Sequence, residues 1–241
     1  MELTGQLAGG IAHDINNVLT AILGHTELVL DDINIDSPFI DSLRQIHNSA
    51  NRAAHLIHQL LAFARKQTIL PKILVLDDAV GTLYPMLQRL TGEQIDFAWN
   101  PEGSGALVHI DPSQPDQIVT NLCDNERDAI AGTGKVSIDT SVILVDEATC
   151  NAGHPCRTPG NYVRLSVTDN GFGIENTVLP HIFEPFFTTK EVGKGTGLGL
   201  STVYGIIKQN NGYIDCLTKS GKGTTFHVYL LLHSENGEIA A

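Results

Sequence analysis

One stretch near the C-terminus is the most informative about the fold, and it reads Gly193-Lys194-Gly195-Thr196-Gly197-Leu198-Gly199-Leu200-Ser201. Its four alternating glycines let backbone N–H groups wrap around phosphate oxygens. A helix predicted from Leu200 onward would turn its positive end toward the same anion. The stretch is not a Walker A loop, because no Gly-Lys-Ser or Gly-Lys-Thr stands at the required spacing. It indicates a phosphate site, with a flexible hinge as the open alternative.

Two segments upstream supply side chains that suit a nucleotide. Asn121 and Asn125 stand four residues apart and share a helix face, and amide oxygens are ligands that Mg²⁺ accepts. The segment 167–174 carries Asp169 from a predicted strand into a glycine-containing turn, where its carboxylate can accept a hydrogen bond from adenine N6. Lys190 adds positive charge ahead of the glycine run. Taken alone, each pattern is also typical of an ordinary polar surface or turn.

The composition of the 241-residue chain limits its class. Hydrophobic residues make up 42% and charged residues 17%, which excludes disorder and fibrous repeats. A formal net charge of −12 argues against nucleic acid as a partner. No apolar run is long enough to cross a bilayer, and no signal peptide opens the chain. We therefore expect a soluble, cytoplasmic protein without direct membrane insertion.

The first 70 residues predict a helical hairpin. Apolar residues recur at helical spacing in two stretches, namely Leu7, Ile11, Ile15, Val18, Ile22 and Val29, and then Leu43, Ile46, Ala50, Ile57, Leu61 and Ala64. Ser37 and Pro38 supply the N-cap and first turn of the second helix. Two such helices bury little surface by themselves, so we expect a four-helix bundle in a homodimer.

Beyond a junction near Leu70–Leu76, short β-branched runs and frequent glycine predict an α+β sandwich, with helices on one face of an antiparallel-leaning sheet. The predicted strands are Ile95–Trp99, Val136–Val145, Val163–Asp169, Gly212–Leu217 and Thr224–Leu232. The predicted helices are Asp77–Leu90, Pro115–Ile130 and Leu200–Gln209.

His13 is the candidate nucleophile. On a helical projection it points away from the apolar stripe of its own helix, with Asp14 next to it and Asn17 one turn later on the same face. A nucleophilic imidazole needs a carboxylate that holds its other ring nitrogen. A solvated surface histidine fits the same pattern, so this region by itself does not decide between the two.

Together and in this order, the segments resemble the catalytic core of two-component sensor histidine kinases. Residues 9–17 resemble the family's phosphoacceptor box, residues 121–130 its asparagine box and residues 169–173 its first glycine box. Residues 183–190 resemble its phenylalanine box, residues 193–201 its second glycine box and residues 221–226 its last glycine box. The resemblance covers residues 4–232. It implies an antiparallel helical hairpin over residues 1–70 for dimerisation and phosphotransfer. Over residues 71–241 it implies an α/β sandwich ATP-binding domain of the histidine kinase, gyrase and chaperone type.

The resemblance also implies the chemistry, with ATP and Mg²⁺ as cofactors. His13 would take the γ-phosphoryl group, Asp14 would orient the imidazole, and Asp14 with Asn17 would support dephosphorylation of a regulator. Asn125 would hold Mg²⁺. The ATP-binding residues that it implies are Asn121, Asn125, Ala129, Asp169, Gly171, Gly173, Lys190, Gly193, Gly195, Thr196, Gly197, Leu198, Gly199, Thr224 and Thr225.

The implied partner is the receiver domain of a response regulator, whose aspartate would take the phosphoryl group from His13, and a sensor region would lie upstream. Asn121 stands where hydrolysing branches of the superfamily carry a glutamate, which favours transfer over hydrolysis. Two residues depart from the family pattern. Glu126 follows Asn125 in place of a small residue and could repel phosphate or face outward, and Asp128 stands where some members carry a phosphate-contacting lysine. Glu126 is the feature that favours the alternative function, a nucleotide-binding scaffold without phosphotransfer.

The segment between Asp146 and Gly160 carries a separate hypothesis. Cys150, His154 and Cys156 could bind zinc, but no fourth ligand follows at the spacing of a structural site. Four cysteines in the whole chain are too few for a disulfide framework. Thiols without a metal are therefore the preferred interpretation.

Overall fold

The computed structural model describes residues 18–30, 33, 37–47, 49–50, 53, 69–92, 94–151, 155–156, 158–191 and 195–233. The chain divides into two compact units, Met1–Thr68 and Ile69–Ala241. Within the described ranges, no helix combines the length and the apolar character that a membrane span needs.

The first unit contains two neighbouring helices. Helix α1 includes residues 18–30, and helix α2 includes residues 40–47. The Thr26 hydroxyl of α1 lies 3.1 Å from Nδ1 of His47 in α2, which places the two helices side by side. This contact agrees with the predicted hairpin.

Part of the predicted apolar stripe of α1 remains exposed within the single chain. Val18, Ile22 and Val29 are exposed, whereas Leu19 is buried. Three large apolar side chains on one short helix leave a surface that is costly to keep in water.

Strands of the second unit form two sheets. Among its described residues the strands are β1 (Lys72–Val75), β2 (Ile95–Glu102), β3 (Leu107–Ile110), β4 (Gly134–Val145), β5 (Gly160–Asp169), β6 (Tyr213–Lys219) and β7 (Gly223–Leu231). The main sheet has the order β2-β4-β5-β7-β6, and β1 pairs with β3. Only the β2–β4 pair among these is parallel. The sheet is therefore mixed and mostly antiparallel, as the sequence predicts.

Helices cover one face of the main sheet and enclose the core. They are α3 (Leu76–Thr91), α4 (Ser113–Asp128) and α6 (Gly199–Gln209). The short helix α5 (Glu147–Asn151) instead packs through Cys150 against a separate cluster that contains Val145, Tyr162 and Tyr229. Helix α4 packs between α3 and α6. The core side chains that they share with the sheet include Ile118, Leu122, Ile138, Leu165, Val167, Ile207 and Phe226. This arrangement confirms the predicted α+β sandwich.

Four short elements were not predicted, one of which is the 3₁₀-helix Leu179–His181. The segment Lys72–Val75, expected to be part of a junction, is strand β1, and its partner β3 and helix α5 are also additional. Lys72 pairs with Ile110, so β1 depends on a partner that is distant in sequence. A four-residue strand has too few side chains for a periodic pattern to reveal it.

Candidate functional site

Asp169 is the last residue of strand β5, and backbone groups hold both of its side-chain oxygens. Oδ1 accepts a hydrogen bond from the Gly171 amide at 2.5 Å, and Oδ2 accepts one from the Thr224 amide at 2.6 Å. The Asp169 side chain is buried. Because each carboxylate oxygen can accept two hydrogen bonds, these two backbone bonds do not use up the acceptor capacity of Asp169. The structure thus brings Asp169, Gly171 and Thr224 together.

Two glycines let the backbone close around Asp169. A Cβ on Gly171 would collide with the carbonyl oxygen of Ala129, and Gly173 has a φ of +69° that favours glycine. The amide of Phe172 donates to the same Ala129 carbonyl at 3.1 Å. These contacts place Ala129, at the end of α4, against the turn that follows Asp169.

Two adjacent threonines of β7 behave differently. Thr224 is buried and its amide binds Asp169, whereas the Thr225 hydroxyl lies 3.1 Å from that of Thr168. Neighbouring side chains of a strand point to opposite faces of its sheet. Thr225 therefore lies on the face away from the helices and is not brought to Asp169.

The two asparagines of α4 meet the first turn of α6. A Cβ on Gly199 would lie 3.5 Å from Oδ1 of Asn121 and 3.6 Å from Nδ2 of Asn125. The amide nitrogen of Asn125 is buried and has no hydrogen-bond partner in the part of the chain that the structure describes. A buried polar atom without a partner indicates a missing ligand, and side-chain amides beside a helix N-terminus suit a metal-bound phosphate. The unpartnered nitrogen is a donor and suits a phosphate oxygen, whereas the side-chain oxygens of Asn121 and Asn125 are of the kind that Mg²⁺ accepts, so the residue types fit a Mg²⁺-bound phosphate.

The glycine-rich segment lies against the segment that precedes it. The Phe186 amide donates to the carbonyl of Gly197 at 2.9 Å, and a Cβ on Gly197 would collide with the Phe186 backbone. The Leu198 side chain is buried and its amide donates to Oγ1 of Thr196 at 3.2 Å. A Cβ on Gly195 would crowd Lys190. Gly195, Thr196, Gly197, Leu198 and Gly199 are thus placed between Lys190 and the asparagines.

Lys190 forms an ion pair with the last turn of α4. Its Nζ lies 2.5 Å from Oδ2 of Asp128, whose Oδ1 accepts from Nε of Arg127 at 3.1 Å. Burial raises the pKa of Asp128, but the hydrogen bonds from Lys190 and Arg127 outweigh it, so the net pKa is lowered. The structure therefore places a lysine beside Asp128.

Glu126 is oriented inward. Its side chain is buried close to Asp169, and among the described residues its Oε1 has no hydrogen-bond partner. Burial raises the pKa of Glu126 well above its usual value, and the nearby Asp169 carboxyl raises it further through hydrogen bonding and through its charge. Of the two alternatives left open for Glu126, the one in which it faces outward is therefore excluded. Sequence spacing does not show this contact, because the two carboxyl groups come from different elements.

Several predicted residues lie outside the described part of the chain. They are His13, Asp14, Asn17, Gly193 and His154.

Comparison with known families covers both units. A family model described as Histidine kinase-, DNA gyrase B-, and HSP90-like ATPase matches residues 110–234. A model described as His Kinase A (phospho-acceptor) domain matches residues 3–69. The chain belongs to the histidine kinase family. The predicted family is therefore confirmed, and the second unit carries the family's ATP-binding domain.

Similar proteins agree with this assignment. Sensor kinase CckA of Brucella abortus (strain 2308) is 46% identical over 230 residues, which cover 95% of this chain and 24% of that protein. The crystal structure of full-length ShkA in complex with AMPPNP has a TM-score of 0.69 at 21% identity, and covers 96% of this chain and 47% of that one. The crystal structure of histidine kinase ThkA in complex with response regulator protein TrrA has a TM-score of 0.63 at 21% identity, and covers 96% of this chain and 62% of that one. At this identity the two structures show a common fold.

The chain spans between about a quarter and a half of the length of the curated relatives that it matches, from 24% to 45% for the first four.

Proposed function

We propose that this chain is an ATP-dependent protein-histidine kinase core that phosphorylates His13 and passes the phosphoryl group to an aspartate of a response regulator. The observation that carries the proposal is the contact of Asn121 and Asn125 with the N-terminus of α6, where the buried amide nitrogen of Asn125 has no partner among the described residues. The buried carboxylate of Asp169, on the same domain, supplies the acceptor that an adenine amine needs.

At the nucleotide, the chain binds and orients rather than reacts. Asp169 accepts from the adenine amine, with Ala129, Gly171, Gly173 and Thr224 around the base. Asn121, Lys190 and the glycine-rich segment from Gly193 to Gly199 contact the phosphates, and Asn125 holds Mg²⁺. Magnesium, when bound, neutralises charge on the phosphate oxygens. Thr225 is excluded from this set, because it lies on the other face of the sheet.

The transfer step then needs a positioned nucleophile. A ring nitrogen of His13 forms a bond to the γ-phosphorus, and the bond between that phosphorus and the β–γ bridging oxygen breaks, with its electrons leaving on ADP. Asp14 accepts a hydrogen bond from the other ring nitrogen and stabilises the charge that develops there. An aspartate oxygen of the regulator next attacks the phosphorus and releases His13.

The helical unit would serve dimerisation and regulator binding. We assign residues 1–70 to this role and residues 71–241 to ATP binding. The exposed side chains of Val18, Ile22 and Val29 support a homodimer, since a second copy would cover them. ThkA, which shares the fold, is bound to a response regulator in its crystal structure. Asp14 and Asn17 would position water when the regulator is dephosphorylated.

The scaffold alternative loses its main support. It depended on Glu126 as a carboxylate that could repel phosphate, yet Glu126 is buried against Asp169. No other described residue favours loss of phosphotransfer.

Incubation with radiolabelled ATP and Mg²⁺ tests the proposal. Phosphohistidine is labile in acid and stable in alkali, so the labelled chain should lose its phosphate in acid only. His13→Gln should abolish the label. His25→Gln is the matched control, because His25 is an exposed histidine of the same helical unit, and it should label like the wild type. Label that persists in His13→Gln would refute the assignment, and ATP binding without any label would restore the scaffold.

A further inference from the structure

The ion pair between Lys190 and Asp128 links α4 to the segment that precedes the glycine-rich stretch. The Lys190 ammonium lies 2.5 Å from Oδ2 of Asp128. The other oxygen, Oδ1, accepts from Nε and Nη2 of Arg127 at 3.1 and 2.9 Å. Lys190 therefore pairs with one carboxylate oxygen of Asp128, and Arg127 pairs with the other. Nη1 of Arg127 lies 3.1 Å from Oδ1 of Asp124, so Asp124 belongs to the network without an ion pair to Lys190.

The aliphatic stem of Lys190 is held as well as its ammonium. A Cβ on Gly195 would lie 3.1 Å from Cβ and 3.2 Å from Cδ of Lys190, so the stem passes directly over Gly195. The Lys190 amide donates to Oγ1 of Thr188 at 3.2 Å. Backbone, stem and ammonium are therefore each restrained by a different neighbour.

We propose that Asp128 is a positioning residue of the nucleotide site, which holds the Lys190 ammonium where it meets the phosphates of ATP. An ammonium has three N–H donors, and the bond to Oδ2 of Asp128 uses one of them, which leaves two for phosphate oxygens. A flexible lysine side chain loses rotamer entropy when a ligand fixes it. A lysine that Asp128 has already fixed binds phosphate at a smaller entropic cost. This inference rests on the proposed function, which assigns Lys190 to the phosphates.

The opposite role is also physically possible and predicts the opposite sign. If Asp128 competed with phosphate for Lys190, its removal would tighten ATP binding. The geometry favours positioning, because Asp128 is already shared with Arg127 and, within the described residues, the Lys190 ammonium contacts no second acceptor. Lys190 and Asp128 are 34% and 32% exposed, so the pair contributes little to folding and the variant should fold.

Calorimetric titration of the full chain with Mg-ATP and with adenosine tests this role. Asp128→Asn should raise the dissociation constant of Mg-ATP about three- to tenfold. Adenosine has no phosphate, so its affinity should not change, whereas general damage to the domain would weaken both ligands. Asp124→Asn is the matched control, because it removes the same charge from α4 but leaves the Lys190 contact intact, and it should bind both ligands like the wild type.

A double-mutant cycle completes the test. In a Lys190→Met background, Asp128→Asn should cause no further loss of ATP affinity, because the group that it positions is gone. Unchanged or tighter ATP binding by Asp128→Asn, an equal loss of adenosine binding, or a full additional loss in the Lys190→Met background would each overturn the inference. Failure of the wild-type chain to bind Mg-ATP would instead overturn the proposed function, and the inference with it.

Discussion

The base end and the phosphate end of the candidate site are built differently. At the base end, Asp169 is 4% exposed and both of its oxygens accept backbone N–H bonds. At the phosphate end, Lys190 and Asp128 are about one-third exposed, and the amide nitrogen of Asn125 is buried without a partner. At the base end the protein's own backbone therefore holds Asp169 in place, whereas at the phosphate end a buried amide nitrogen lacks a partner that a ligand would supply. Substitutions at the two ends should accordingly differ in whether they affect the fold or only the ligand.

The largest effect is expected from Asp169→Asn. The backbone amides of Gly171 and Thr224 each donate to one oxygen of Asp169, so in the variant one of them would face an NH₂ group, which cannot accept its hydrogen bond. The remaining amide oxygen is neutral and is a weaker acceptor for the adenine amine than a carboxylate. We expect ATP affinity to fall about 100-fold, measured by calorimetry. Circular dichroism should confirm that the variant is folded. A loss of less than about threefold would show that the base end does not depend on Asp169.

Asn125→Ala should affect only the phosphate end. It removes the side chain that we assign to Mg²⁺, so ATP affinity measured with Mg²⁺ should fall on the order of 10- to 100-fold. Binding of adenosine, which carries no metal-bound phosphate, should be retained. Equal losses for both ligands would contradict the division of the site into two ends.

Gly171→Ala should destabilise the fold at the base end. The added Cβ collides with the Ala129 carbonyl, so the free energy of unfolding in urea should fall by about 1–3 kcal/mol. Gly205→Ala is the matched control, because a Cβ there meets nothing within 4 Å and a helical Ala is favoured by up to about 1 kcal/mol. A Gly171→Ala chain as stable as the wild type would show that the turn after Asp169 is not tightly packed.

The smallest effect is a pH dependence that we assign to Glu126. Its pKa is raised in the folded state above the usual 4.5, so the folded chain binds this proton more tightly than the unfolded chain. The Glu126 contribution to stability is complete below about pH 4.5 and is lost as the pH rises through the raised pKa, by at most about 1.4 kcal/mol per pH unit.

Glu126→Gln should remove this slope, because an amide does not titrate in that range. Urea unfolding of both proteins at several pH values measures the difference. Glu147→Gln, which changes an exposed glutamate, should keep the wild-type slope. Identical slopes for the wild type and Glu126→Gln would show that Glu126 is not held as a protonated acid.

The sequence by itself determined the helices and strands with strong periodicity and the candidate residues that local spacing relates. Asn121 and Asn125 share a helix face because four residues make about one helical turn. The glycine-rich segment is recognisable from its residue composition alone. The strands at Val136–Val145 and Val163–Asp169 are long enough for their apolar pattern to be visible. The junction was mistaken because β1 is four residues long and pairs only with the distant β3.

Only the tertiary structure decided which of the candidates meet. In the folded chain Thr224, and not Thr225, contacts Asp169. Glu126 points inward toward the same carboxylate. Lys190 forms an ion pair with Asp128, which lies 62 residues earlier in the sequence. The physical reason is that these contacts depend on strand register and on how α4 packs against its neighbours, which are set by the whole core. Local spacing specifies the face of an element on which a side chain lies, and packing specifies what that face touches.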